Sequence, residues 1–284
     1  MAGADAHPED RIGTKDTTKL TGMEPVYDSV ISAARLLWLA EGLKFDISGV
    51  ENMPVEGPGV VALNHTGYLD FTFAGIPAYL VRPKRRYVRF MAKKEVFDNK
   101  VGGPVMRSLK HISVDRANGA QSYQDAVDYL KSGELVGVYP EATISRSFEL
   151  KGFKSGAARM ALESGAPLLP TLVWGAQRIW TKGHPRNLGR SRVKIAVAVG
   201  EPIAPEGTPE ELTARLHEAM RLKLDQVQRD YGEYPPGEFW VPARFGGGAP
   251  TLEEANAMDA ADADKKAQRR AAREDTTGDT HSEG

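Results

Sequence analysis

The sequence predicts an α/β fold: one domain in which a mixed, mostly parallel sheet is flanked by helices. Three observations carry that expectation. Short, β-branched apolar runs at Gly59 to Leu63, Leu135 to Tyr139, Ala166 to Trp174 and Val193 to Val199 have the length of buried strands. Segments with helical apolar spacing lie between and beside them, most plainly Ser122 to Leu130 and Thr208 to Tyr231. Strand, charged loop and helix recur in that order, which gathers the loops at the C-terminal edge of the strands. With 284 residues, 41% of them hydrophobic, the chain can bury one large core. The expected domain covers residues 22–245, between a disordered polar tail at 1–21 and a largely disordered tail at 246–284. That second tail holds at most a short helix around Leu252 to Arg273 and is not expected to join the core.

From Glu24 to Leu43 the residues Val26, Val30, Ala33, Ala34, Leu37 and Trp38 recur at helical spacing. Packing against the domain is preferred over an interfacial membrane helix, because only Arg35 and Lys44 are basic there. Leu43 to Ile47 reads as a first strand, and Gly49, Asn52 and Pro54 turn the chain into the Gly59 strand. Phe71 to Val81 is apolar and helical, kinked or restarted by Pro77. The densest positive cluster, Arg82 to Arg89, has two readings. It is a solvated loop entering a strand at Val88 to Met91, or a contact for anionic lipid headgroups at about 1 kcal/mol per basic side chain. Gly102-Gly103-Pro104 reads as a loop before a short helix to Leu109, and Ile112 to Arg116 as an alternating strand. Pro140 stops the Leu135 strand, and Lys151 to Gly156 opens a helix that runs through Leu162. Thr181 to Arg192 is a basic, Gly-rich loop. Thr208-Pro209-Glu210-Glu211 starts a long helix on Leu212, Leu216, Met220, Leu224 and Val227, and Gly232 stops it.

The candidate chemistry centres on Asn64-His65-Thr66-Gly67-Tyr68-Leu69-Asp70, where the Gly59 strand meets a helix. Residues five apart do not share a face of one helix, but a strand-loop-helix bend can bring the Asp70 carboxylate back to the His65 imidazole. Such a carboxylate fixes the tautomer, supports the imidazolium and leaves the other ring nitrogen as a base for an alcohol. Alone the pair is weak evidence, since a capping Asp beside a core histidine looks the same. Arg116, Glu141 and Arg146 fall on the same predicted sheet edge. Arg116 at a strand end is either a phosphate or carboxylate clamp or a surface partner of Asp115 or Asp125.

Several classes are excluded or disfavoured. A net charge of −1 gives no global attraction to nucleic acid, and none is expected as partner. The absence of cysteine removes disulfides, thiolate metal sites and a Cys nucleophile. No Gly-x-Ser-x-Gly elbow and no phosphate-binding Gly-x-x-x-x-Gly-Lys-Ser/Thr loop occurs, and His217-Glu218 is followed by Arg221 where a zinc protease needs a second His. No metal and no cofactor is expected. No apolar run is long enough to span a bilayer and the N-terminus lacks the order of a signal peptide, so a cytoplasmic location is expected.

Between about residues 24 and 232 the sequence resembles the phospholipid and glycerol-phosphate acyltransferase family, which includes the 1-acylglycerol-3-phosphate acyltransferases. Asn64 to Asp70 is similar to its Asn-His-x-x-x-x-Asp block, and Gly103 through Arg116 to a second block ending in Asp-Arg. Tyr139-Pro140-Glu141 with Thr143 is similar to the third, and Ala166 to Pro170 to the fourth. In the third block Ala142 and Ile144 stand where the family usually has Gly and Arg. The resemblance implies a glycerol-phosphate acyltransferase-like fold and transfer of a fatty acyl group from acyl-CoA or acyl-carrier protein to a hydroxyl of a lipid such as a 1-acylglycerol-3-phosphate. His65 is then the base and Asp70 its orienting group, with Thr66 and Gly67 amides at the oxyanion. Glu141, Arg116, Arg146 and Lys154 are expected at the acceptor's polar head, the last three in place of the missing arginine. The implied partners are the lipid acceptor, the acyl donor and the inner face of a membrane. Another lipid or glycolipid acceptor, or a lipid-binding protein without activity on the same fold, is the alternative.

Overall fold

The computed structural model describes residues 24–115 and 119–278. Helix α1, Pro25–Glu41, starts on a proline that needs no amide partner and stops at Gly42, whose φ of 71° lets its amide cap Leu39 and Trp38 carbonyls. It leads into β1 (Lys44–Ser48) and, after a single 3-10 turn, β2 (Gly59–Leu63). The expected helix from Phe71 divides into α2 (Asp70–Ala74) and α3 (Ile76–Leu80). Pro77 sits in the first turn of α3, where its missing N–H costs nothing.

Next come β3 (Val88–Lys93), α4 (Lys94–Phe97), α5 (Gly102–Ser108), β4 (Ile112–Val114), α6 (Gly119–Lys131) and β5 (Leu135–Val138). The segment expected as a loop at Gly102 to Pro104 is the first turn of α5, and Gly103 is required there because a Cβ would lie 2.0 Å from the Phe97 carbonyl oxygen. The chain continues through α7 (Gly156–Ser164), β6 (Leu168–Trp174), β7 (Lys194–Val199), α8 (Pro209–Tyr231) and α9 (Leu252–Gly278). Thr208 and Glu211 close a reciprocal capping box on α8, each side chain satisfying the other's backbone N–H.

The seven strands run in the order β1-β7-β6-β2-β5-β3-β4. Every pairing is parallel except β6 with β7, so the sheet is mixed and mostly parallel as predicted. All five residues of β2 are buried, because helices cover both faces. Alternation sends Val60 and Ala62 into a core with Met160, Leu216 and Met220, and Val61 and Leu63 into a second core with Phe73, Ala78 and Phe90.

The Arg82 to Arg89 cluster divides: Arg86 and Arg89 tie elements together, while Arg82, Lys84 and Arg85 stay exposed on the loop that enters β3. Arg82 donates to the Leu80 and Val81 carbonyls, Arg86 to those of Pro54, Gly57 and Gly133, and Arg85 pairs with Asp28. Arg89 is fully buried against Glu24 and Glu134. One expectation is corrected: the tail from Gly246 joins the body. Ala249 and Ala255 are buried, and α9 is capped at its start by Thr251 and Glu254. The predicted tail at 1–21 and Arg116 lie outside the described residues.

Candidate active site

The site begins where β2 ends. Asn64 is buried and works as an extra strand residue, its Nδ2 donating to the Val173 carbonyl at 3.0 Å and its Oδ1 accepting from the Val173 amide at 2.8 Å. That clamp onto β6 fixes the peptide that carries His65. The His65 amide donates to Glu141 Oε1 at 2.8 Å, and its carbonyl accepts from the Ser145 amide, also at 2.8 Å. Tyr139 stacks on the ring with centroids 4.1 Å apart. The chain then turns into α2, whose first residue is Asp70, and Asp70 Oδ2 comes to 3.0 Å from His65 Nδ1. Asp70 is wholly buried while the His65 side chain keeps 20% of its surface open. With a proton on Nδ1 facing the carboxylate, the Nε2 lone pair is left able to accept a proton.

Thr66 and Gly67 are placed differently from expectation. Both amides donate to Asp70 Oδ2, at 2.7 and 2.8 Å, and the Thr66 hydroxyl reaches Asp70 Oδ1. Their donors hold the carboxylate and are not aimed at a developing oxyanion. Gly67 allows close approach of protein, not substrate: a Cβ there would meet the Trp180 carbonyl oxygen at 2.8 Å.

Glu141 is likewise a positioning group rather than part of an acceptor cradle. It is buried, and its second oxygen accepts from the Lys151 amide at 3.0 Å. Burial pushes its carboxyl up to about 8, against the pull of the Lys151 and His65 amides and the Lys151 charge. Between pH 4.5 and 8 the folded chain thus keeps a proton that the unfolded chain has released. The stability this residue contributes is full below about pH 4.5 and falls as pH rises toward 8, by at most about 1.4 kcal/mol per pH unit. Glu141→Gln, which cannot titrate, is expected to flatten the dependence of melting temperature on pH between 5 and 8. A slope equal to that of the parent protein would mean that Glu141 is ionised throughout this range.

The basic residues sort into two places. Arg146 Nε lies 3.4 Å from Asp259 and its Nη2 pairs with Asp262. Lys151 Nζ is 2.7 Å from Asp259 and also bonds the Thr143 hydroxyl, and Lys182 Nζ is 2.9 Å from Asp259 and 3.0 Å from Asp262. Arg146, Lys151 and Lys182 therefore form one cluster under α9. Lys154 is not part of it; it is exposed and lines a groove with Glu210, Thr213 and His217 of α8. Lys151 and Lys182 were missed because only residues more than 70 positions away reveal their role. In the third block Ile144 is buried, so that position offers no cation, and Ala142 holds the left-handed backbone (φ 60°) that Gly adopts more readily.

Among the described residues no cluster of His, Cys, Asp and Glu could hold a metal ion, and no helix is long and apolar enough to cross a membrane. A family model described as Acyltransferase matches residues 44–174, a span that includes His65, Asp70 and Glu141. A Bacillus subtilis protein named 1-acyl-sn-glycerol-3-phosphate acyltransferase is 29% identical over 201 residues, which cover 68% of this chain and 92% of the relative. One of the same name from Borreliella burgdorferi is 24% identical over 196 residues, covering 68% and 76%. The crystal structure of the 1-acyl-sn-glycerophosphate (LPA) acyltransferase PlsC from Thermotoga maritima superposes with a TM-score of 0.58 over 71% of this chain and 79% of that one. At 22% identity that likeness speaks to the fold alone.

Proposed function

From the match of residues 44–174 to the Acyltransferase family model and the likeness to relatives of that name, we propose that the chain moves a fatty acyl group from a thioester, acyl-CoA or acyl-carrier protein, to a hydroxyl of a phosphate-bearing lysolipid such as a 1-acylglycerol-3-phosphate. The observation that carries the reading is the His65–Asp70 pair, 3.0 Å apart, one fifth open on the imidazole side and closed on the carboxylate side. His65 Nε2 takes the proton of the acceptor hydroxyl as its oxygen attacks the thioester carbonyl. Asp70 holds the ring and balances the imidazolium. The tetrahedral intermediate collapses by breaking the C–S bond, and the leaving thiolate takes the proton back from Nε2. No covalent acyl-protein intermediate is needed.

Three segments carry cations to this point. Ser145 bonds the His65 carbonyl, Lys151 shares Glu141 with the His65 amide, and the Thr181 hydroxyl bonds the Thr66 carbonyl at 2.7 Å. Arg146, Lys151 and Lys182, on or next to these residues, then bind the acceptor phosphate. An apolar cavity of about 770 Å³, lined by Ile31, Trp38, Phe45, Phe71, Ile76 and Phe90, suits an acyl chain. On α1, Leu36, Leu37 and Leu39 are 69%, 67% and 77% exposed. We read this helix as the part that lies on the inner face of the membrane, peripherally.

The test is thiol release from acyl-CoA by purified protein on vesicles carrying either a 1-acylglycerol-3-phosphate or an uncharged monoacylglycerol, with the product identified by mass spectrometry. The phosphate-bearing acceptor is expected to be preferred about tenfold or more in kcat/KM, as charge-assisted bonds to a phosphate imply. Equal rates would remove the phosphate from the reading, and absence of release with every acceptor would remove the reaction. In the same assay, glutamine at Leu36, Leu37 and Leu39 should slow turnover of vesicle-borne acceptor but not of a water-soluble short-chain one. Equal slowing of both would take α1 off the membrane.

A further inference from the structure

The basic cluster beside His65 is covered by this chain's own carboxylates. Ala255, Asp259 and Asp262 are spaced four and three apart and so share one face of α9. Ala255 is buried and anchors that face, and the next turns place Asp259 and Asp262 on Arg146, Lys151 and Lys182. None of the three cations is well exposed: their side chains retain 14%, 13% and 28% of their surface. Two carboxylates on three cations leave one positive charge. A phosphate monoester dianion carries the charge of the two carboxylates combined and offers oxygens to the same donors, so it can take their place without changing the balance of the site.

We propose that α9 is an acidic strap: Asp259 and Asp262 occupy the anion site formed by Arg146, Lys151 and Lys182, and the phosphate group of an acceptor must displace them to enter. The proposal rests on reading that cluster as the acceptor's phosphate site. An anchor at Ala255 and a capped start at Thr251 keep the strap close, so it competes as an intramolecular ligand at high effective concentration. The apparent affinity for phosphate is then lowered by the fraction of molecules in which the strap is lifted. Attraction between carboxylates and cations keeps the strap down over the neutral range, since hydrogen bonds from Lys182 and Arg146 hold the Asp262 carboxyl below its ordinary range.

The test uses the full chain and glycerol 3-phosphate as probe, read by titration calorimetry. If the strap opens in about one molecule in five to one in ten, Asp259→Asn with Asp262→Asn should tighten binding five- to tenfold. Equal or weaker binding by a folded double variant would make α9 a structural clamp and overturn the proposal. Because three uncompensated cations can unsettle that variant, hydrogen exchange of the unaltered protein gives a second reading. Added glycerol 3-phosphate should speed exchange several-fold in the first turns of α9, through residue 262, and unchanged or slower exchange would overturn the strap. Both measurements are independent of turnover. Absence of thiol release with any acceptor, together with tightened phosphate binding, would sink the acyl transfer and leave the strap standing.

Discussion

His65→Ala is expected to lower kcat on the order of 10³-fold, the range in which removal of a positioned general base falls, while the protein stays folded. Both halves follow from the surroundings of the ring. The imidazole stacks on Tyr139 and keeps a fifth of its side-chain surface open, so its loss leaves a shallow gap rather than a sealed cavity. Asp70 keeps two amide donors on the oxygen that faced the ring, and the peptide bonds to Glu141 and Ser145 do not involve the imidazole. A melting temperature within a few degrees of the parent protein should accompany the kinetic loss. Thiol release by stopped assay checks the first half and a thermal melt the second. A variant retaining a tenth or more of the parent rate would show that the acceptor hydroxyl loses its proton elsewhere.

How far the sequence revealed this arrangement depended on the range of the interactions involved. The strands β2, β5, β6 and β7 were legible because a buried parallel strand must be apolar on both faces, and α8 because Leu212, Leu216, Met220 and Leu224 repeat at helical spacing above a cap. The His65–Asp70 pair was legible because both ends of the contact lie in one short turn. Groups whose partners are distant in sequence were misjudged. Glu141 looks like a ligand-binding acid after a strand, yet one of its donors is 76 residues away. α9 has little apolar periodicity, and it joins the body through Ala249, Ala255 and ion pairs that link residues more than 70 positions apart. Within the Arg82 to Arg89 cluster, Arg86 and Arg89 read as surface cations until Glu24, Glu134 and the carbonyls of Pro54, Gly57 and Gly133 are seen to gather around them. Thr66 and Gly67 were correctly placed beside the histidine and given the wrong recipient for their amides.

Asp70→Asn separates the charge of this carboxylate from its hydrogen bonds. Asp70 Oδ2 receives His65 Nδ1 and the Thr66 and Gly67 amides, and Oδ1 receives the Thr66 hydroxyl. An asparagine that keeps its oxygen at the Oδ2 position retains all three nitrogen donors, and its amide group can donate to the Thr66 hydroxyl oxygen instead. The flipped arrangement would set an amide group against two backbone N–H groups, so one orientation dominates. Geometry and fold therefore survive, but the negative charge that balances an imidazolium in a buried setting is gone. We expect kcat to fall about 10²- to 10³-fold, roughly 3–4 kcal/mol of transition-state stabilisation, with KM changed less than threefold and the melting temperature nearly constant. Asp70→Ala should lose at least as much activity and in addition strand four donors, each costing about 1–3 kcal/mol where it stays dry, so that its melting temperature falls clearly. The contrast between the two variants is the measurement. An asparagine variant with kcat within threefold of the parent would mean that Asp70 only shapes the loop, and equal melting temperatures for the two would mean that its hydrogen bonds do not hold the turn.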